Sequence, residues 1–287
     1  MMREKTIAFI GPGVMAEAMI AGLIRQEVAK PEMLIAAGPR QNHLQLLKDR
    51  YGIAVEKDNA KAASGADVVV LSVKPQRLNS VLDGMRGIIQ PDALVLSIVA
   101  GVPIAKIQAA LLHPAVVRAM PNTPAQIGEG ITIWTVAGSV TEDQRQMSRQ
   151  ILGALGKEIF LEEEQYLDMA TALSGTGPAY VFLFMEAMVD AGVHLGFPRR
   201  VAEQLVAQTV RGSVDFYTKA MDDVHLAHLR NQVTSPGGTS AEALYYLEKA
   251  GFRTAISRAI WAAYERSQQL GKNGESHPPE KNVGDLG

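Results

Sequence analysis

The sequence predicts an α/β fold in two parts: an N-terminal doubly wound, mostly parallel sheet, then a C-terminal domain built only of helices. Three observations lead there. Short apolar segments alternate with helix-like segments through the first half. A G-x-G-x-x-A pattern, Gly11, Gly13 and Ala16, sits between the first apolar segment and the helix that follows. From Gln165 to Gly271 the alternation stops, leaving helical spacing interrupted by breakers.

Thr6–Ile10, Met33–Ala37, Asp67–Val73, Leu94–Val99 and Val116–Met120 are short, apolar and often β-branched, and Gly, Pro or polar residues bound each of them. They read as strands. A continuous apolar run such as Asp67–Val73 fits burial on both faces. Asn42–Gly52 and Ile104–Leu112 have helical spacing with a Gly or Pro stop. Strands and helices of this length imply right-handed βαβ units. Gly130–Val136 and Lys157–Glu162 would extend the sheet, which places the first domain at 1–164. In the helical domain, 165–271, the segment Tyr180–Phe197 is the most apolar. It keeps so little polar surface that burial against a second copy is expected. The tail, 272–287, is polar and rich in Gly and Pro, and is expected to be disordered.

Composition narrows the function. The chain has 287 residues, 47% apolar and 20% charged, as in ordinary globular proteins. A net charge of -2 leaves no broad footprint for nucleic acid or an anionic membrane. The absence of cysteine excludes disulfides, thiolate catalysis and Cys-ligated zinc. The start runs directly into a strand, with no room for a signal peptide, and no apolar run reaches the length of a membrane span. A cytoplasmic protein with a small-molecule substrate is expected.

The glycine pattern makes the first domain a Rossmann-type dinucleotide site. Gly11 permits a tight turn, Gly13 lets a pyrophosphate approach the backbone, and Ala16 lets the helix pack closely on the strand. Free N–H groups at the helix start then hold the phosphates. NAD sites usually place an acid about 20 residues beyond the glycines. No acid occurs from Leu34 to Lys48, and Arg40 follows the second strand. A guanidinium suits a 2′-phosphate, so NADPH is favoured and NADH stays open. The loops Ser72–Gln76 and Val99–Val102 follow strands and should line the cofactor.

The helical half offers little acid–base machinery. There is no lysine between Lys157 and Lys219. His225 and His228 form no metal set, so solvated histidines are the better reading, and His194 lies in an apolar helix. Two Gly-rich turns remain, Leu173–Tyr180 and Thr234–Ser240. The second sets several N–H groups and the hydroxyls of Ser235, Thr239 and Ser240 at a helix start, as an anion receptor would. Ordinary helix capping by Thr239 or Ser240 is the alternative.

With "FIGPGVMAEA", "LSVKPQ", "VAGV", "RAMPNTP", "LSGTGPAY" and above all "QVTSPGGTSAEALYYLE" in this order, the sequence resembles the Δ1-pyrroline-5-carboxylate reductase family from about Thr6 to Leu270. The resemblance implies a Rossmann domain, a helical dimerisation domain and NAD(P)H-dependent reduction of a cyclic imine to L-proline. It implies a homodimer, with larger assemblies of dimers left open. It implies a substrate held between the nicotinamide and the SPGG turn. The substrate-binding residues would be Val233, Ser235, Gly238, Thr239 and Ser240, with Ser240 the catalytic residue near the imine nitrogen. The cofactor-binding residues would be Gly11, Gly13, Val14, Met15, Arg40, Asn59, Val73, Lys74, Pro75 and Ala100, with no metal. Ser240 stands where the family usually has threonine, and Thr176 where serine is usual. The related β-hydroxyacid dehydrogenases carry a catalytic lysine on the helix after a Gly-rich turn; Val181 occupies that spacing here, which speaks against them. A nucleotide-binding regulator that has lost catalysis is the non-enzyme alternative.

Overall fold

The computed structural model describes residues 2–220 and 224–272. Contacts divide the chain into two units, Met1–Thr176 with Ala263–Gly287, and Gly177–Ala262. Most of the expected disordered tail falls outside the described residues: Lys272 ends the last helix, and 273–287 are not described.

The first unit is built on an eight-stranded sheet. β1 (Ile7–Ile10), β2 (Leu34–Ala37), β3 (Ala54–Glu56), β4 (Val68–Leu71), β5 (Leu94–Ser97) and β6 (Val116–Met120) are parallel, in the order 3-2-1-4-5-6. β7 (Gly130–Val136) runs antiparallel to β6, and β8 (Gly156–Phe160) parallel to β7. β1, β4 and β5 are buried at every position, which is why their sequences are continuously apolar.

Helices cover both faces. α1 (Val14–Arg25), α2 (Gln41–Tyr51) and α6 (Glu142–Gly153) pack over the face that presents Ile7 and Phe9. α3 (Asn59–Ser64), α4 (Pro75–Asp83) and α5 (Ile104–Leu111) pack over the face that presents Ala8 and Ile10. This is the period-two alternation of a strand with two apolar neighbours. α6 starts with a capping box, Thr141 accepting from the Gln144 N–H and Gln144 from the Thr141 N–H. The strand order steps outward from β1 to β3 and then returns to β4. The crevice at the carboxyl ends of β1 and β4 is therefore the switch point where such sheets bind ligands.

The expected Gly-rich turn at Leu173–Tyr180 is helical instead. α7 (Tyr166–Ala170) passes into one π-helical turn, Thr171–Gly175, and then into α8 (Gly177–His194). The Thr176 N–H and hydroxyl both donate to the Thr171 carbonyl, at 2.8 and 2.9 Å. The wide turn absorbs residues that look like a breaker in the sequence, and such turns often mark functional positions.

The second unit comprises α8, α9 (Arg199–Ala220), α10 (Leu226–Gln232), α11 (Thr239–Lys249) and the first half of α12 (Phe252–Lys272). No strand occurs in it among the described residues. Its buried core is small: Val189, Ala202 and Val206. Only Val189 of α8 is buried, whereas Phe182 and Leu183 are 63% and 68% exposed. Contrary to the sequence expectation, one helical run, Tyr166–His194, is long and apolar enough to cross a membrane by length and composition alone.

Candidate active site

The switch-point crevice opens into a cleft of about 970 Å³. Gly11, Gly13, Arg40, Asn59, Val73 and Lys74 line it, so six of the ten expected cofactor residues converge there. Gly11 has φ +82°, and a Cβ on it would lie 2.3 Å from Val73 Cγ1. Only glycine fits between the ends of β1 and β4. Gly13 meets no such crowding: a Cβ there would find only the Gly11 carbonyl, at 4.0 Å. The space beside Gly13 is open, as close approach of a phosphate requires. Gly13 is the N-cap of α1 and no side chain caps that helix, so its first N–H groups remain available. Ser72 ties the two strand ends together by donating to the carbonyls of Ile10 and Gly11, both at 3.0 Å.

Val14 and Met15 are the first two residues of α1, and Pro75 is the first of α4, just outside the cleft wall. Ala100 lies in the loop after β5, also outside that wall.

The cleft contains residues that the sequence did not single out. Lys57 and Arg77 add two cations to Arg40 and Lys74, and none of the four forms an ion pair among the described residues. His43 Nε2 donates to the Pro12 carbonyl at 2.6 Å, joining α2 to the glycine turn. The acids nearby are already engaged. Asp58 caps α3, accepting from the N–H groups of Ala60 and Lys61 at 2.8 and 3.4 Å. Lys61, with the N–H groups of Asp58 and Lys57, holds the Glu56 carboxyl below its ordinary range. Asn59 Oδ1 is buried in the cleft wall without a partner. An orphaned acceptor of this kind calls for a donor from a ligand. Uncapped N–H groups and four cations without an ion pair among the described residues fit the phosphates of a dinucleotide, and the orphaned amide oxygen fits a hydroxyl or amino donor on the same ligand.

In the second unit, Val233, Ser235 and Gly238 lie between α10 and α11, and Thr239 and Ser240 open α11. Gly237 takes φ +72°, and the Gly238 N–H closes on the Ser235 carbonyl at 3.0 Å. A Cβ on Gly238 would lie 2.5 Å from Ser235 Oγ. The glycine pair therefore folds the serine hydroxyl over the start of α11. Gly238 is the N-cap, and no side chain caps the helix. Capping by Thr239 or Ser240 is thus not what the structure shows, and both hydroxyls lie in the first turn. His225 caps α10 through Nδ1, which accepts from the Ala227 N–H at 3.1 Å. No metal-binding group of three or more His, Asp or Glu exists among the described residues.

Two family models match. Residues 164–270 match pyrroline-5-carboxylate reductase dimerisation, and residues 6–101 match an NADP oxidoreductase family described as coenzyme F420-dependent. The pyrroline-5-carboxylate reductase of Synechocystis sp. is 42% identical over 93% of this chain and 98% of its own length. That of Pseudomonas aeruginosa is 39% identical over 94% of this chain and 98% of its own. The Plasmodium falciparum pyrroline carboxylate reductase, solved with NADP bound, superimposes with a TM-score of 0.87 at 33% identity, covering 94% of this chain and all of that one. The match to a dimerisation domain accounts for the bare apolar surface of α8 and for the hydropathy of Tyr166–His194. With a Rossmann-type NADP-binding domain joined to that dimerisation domain, the chain belongs to the pyrroline-5-carboxylate reductase family.

Proposed function

We propose that the protein is a homodimeric reductase that converts Δ1-pyrroline-5-carboxylate to L-proline, the last step of proline biosynthesis, and uses NADPH in preference to NADH. The observation that carries the reading is the uncapped turn before α11, with Ser235, Thr239 and Ser240 around free N–H groups, in a chain of this family. In this reading the domains are 1–164 for the cofactor and 165–271 for dimerisation and substrate.

The imine C=N gains a hydride at carbon and a proton at nitrogen. NADPH supplies the hydride when bound. Gly11, Gly13 and the first N–H groups of α1 hold its pyrophosphate, with Val14 and Met15 beside them. Arg40 meets the 2′-phosphate, Asn59 and Lys74 the adenosine side, and Val73 the remaining wall, with Pro75 and Ala100 beyond it. The Thr239 N–H at the start of α11 and the Ser235 and Thr239 hydroxyls, with Gly238 and Val233 beside them, hold the substrate carboxylate. A substrate protonated at nitrogen is already electrophilic, so no enzymic acid is required. Ser240 then orients the nitrogen through one hydrogen bond. What the protein contributes is alignment of the reacting carbons to about 3–3.5 Å.

The preference for NADPH rests on four cleft cations without an ion pair among the described residues, against acids that are already engaged in a cap or an ion pair. Steady-state oxidation of NADPH and NADH with pyrroline-5-carboxylate tests reaction and cofactor together. NADPH should show the higher kcat/KM, and equal values would remove the role given to Arg40. A cytoplasmic location goes with this reading and is checked by cell fractionation.

A further inference from the structure

Arg118 has no role in the mechanism above, yet it is the most elaborately held charge in the first unit. It sits on β6, is 4% exposed, and lies beside Ser97 in the sheet register. One arm of its guanidinium donates to Glu164 Oε1 at 3.0 Å, the other to Asp168 Oδ1 at 2.7 Å. Both carboxylates have second duties. Glu164 Oε1 also accepts the Ile104 N–H at 2.8 Å, and so caps α5, which has no cap of its own. Asp168 Oδ1 also accepts the Ser267 hydroxyl of α12 at 2.9 Å. Two carboxylates around one guanidinium leave an excess of negative charge, and these two donors offset it.

The loop from Val99 to Ile104 is held at each end, and at its far end by this network. At its start, the buried Ser97 Oγ accepts the Val99 N–H at 3.3 Å. At its end, Glu164 holds Ile104. In its middle, Gly101 lies directly under α12: a Cβ there would meet the Ser267 carbonyl at 2.4 Å, and one on Gly271 would meet the Gly101 carbonyl at 2.0 Å. Ala100, the cofactor contact proposed for this loop, lies within the pinned stretch.

We propose that Arg118 is a positioning residue for hydride transfer: through Glu164 and Asp168 it fixes the loop after β5 against α12, and that loop sets the alignment of the nicotinamide end of the cofactor. The proposal rests on the reductase reading. Dinucleotide affinity comes from the glycine turn and the cations of the cleft, none of which touches this network. Loosening the loop therefore affects alignment more than binding.

The test is single-turnover mixing of the full-length enzyme, preloaded with NADPH, against saturating pyrroline-5-carboxylate. Loss of folded enzyme lowers the amplitude, whereas misalignment lowers the rate constant. Arg118→Met should lower the rate constant by at least about tenfold, the scale of a sub-ångström to ångström misplacement. The Kd of NADPH should hold, and Arg118→Lys should recover part of the rate. An unchanged rate constant with reduced amplitude overturns the proposal. Should Arg118→Met not fold, Ser267→Ala removes a single hydroxyl and should still slow the step by about two- to fivefold, a fraction of the roughly tenfold or more that a whole charged hydrogen bond is worth; no slowing overturns the proposal. A native enzyme that binds NADPH but never turns over sinks the reductase reading instead. Amide exchange across Val99–Ile104 then decides the anchorage: it must quicken in either variant, and unchanged exchange overturns it.

Discussion

In the proposed mechanism Ser240 makes the one side-chain contact at nitrogen, so its removal is the sharpest single-residue test. Ser240→Ala should lower kcat/KM by about 1–3 kcal/mol of transition-state stabilisation, roughly 5- to 150-fold. Steady-state kinetics at fixed NADPH reads it, and an unaltered value would take Ser240 out of the mechanism. Arg40 tests the other half. It starts α2 at the cleft edge and has no ion-pair partner among the described residues. Losing a charge-assisted contact to a 2′-phosphate costs about 1.5–3 kcal/mol, so Arg40→Ala should raise the KM for NADPH by roughly tenfold or more and leave that for NADH nearly alone. At this scale the sequence showed the glycines and the hydroxyl turn, because each needs a residue type that nothing else can replace. Lys57 and Arg77 were less legible. They are ordinary residue types, and only the return of the chain from β3 to β4 brings them to one wall.

At the scale of elements, burial decided what could be read. β1, β4 and β5 declare themselves because both faces are covered. β3 has three residues at the sheet edge, none fully buried, and left no apolar run to find. The π turn was mistaken for a break because Gly, Thr and Pro signal a turn unless tertiary packing overrides them. Pairing between β1 and β4 has its own electrostatic lock. Asp67 accepts from the Lys5 ammonium at 2.7 Å and the Thr6 N–H at 2.8 Å. Partial burial works against its charge, but these donors prevail and hold the Asp67 carboxyl below its usual value. A depressed carboxylate stabilises the fold above the unfolded pKa, near 3.9, and that contribution fades as pH falls through the lower folded value. Solvent screens the pair, so Asp67→Ala should cost only about 0.5–1 kcal/mol at pH 7. Urea midpoints of the two proteins should converge only once the pH has fallen through that lower folded value. A gap that persists there would assign the loss to packing.

For the whole molecule, the second unit cannot account for its own stability. Three buried side chains are a thin core for helices as apolar as α8. The dimer supplies the cover, and replacing Phe182 and Leu183 together by Asp should halve the mass seen in sedimentation at micromolar concentration. A dimer that survives would place the interface elsewhere on the unit. The sequence made the need for a partner visible through the composition of Tyr180–Phe197. It did not reveal that α12 comes back to the first unit, because Ser267 and Gly271 look like any small residues on a helix. That return has a consequence for biosynthesis. A ribosome releases the β5 loop long before it makes residues 263–271, so the nascent chain carries a Rossmann sheet whose Gly101 has nothing above it. The loop after β5 is therefore covered only once residues 263–271 have been made, and a chain that stopped before Ala263 would carry the sheet with that loop uncovered.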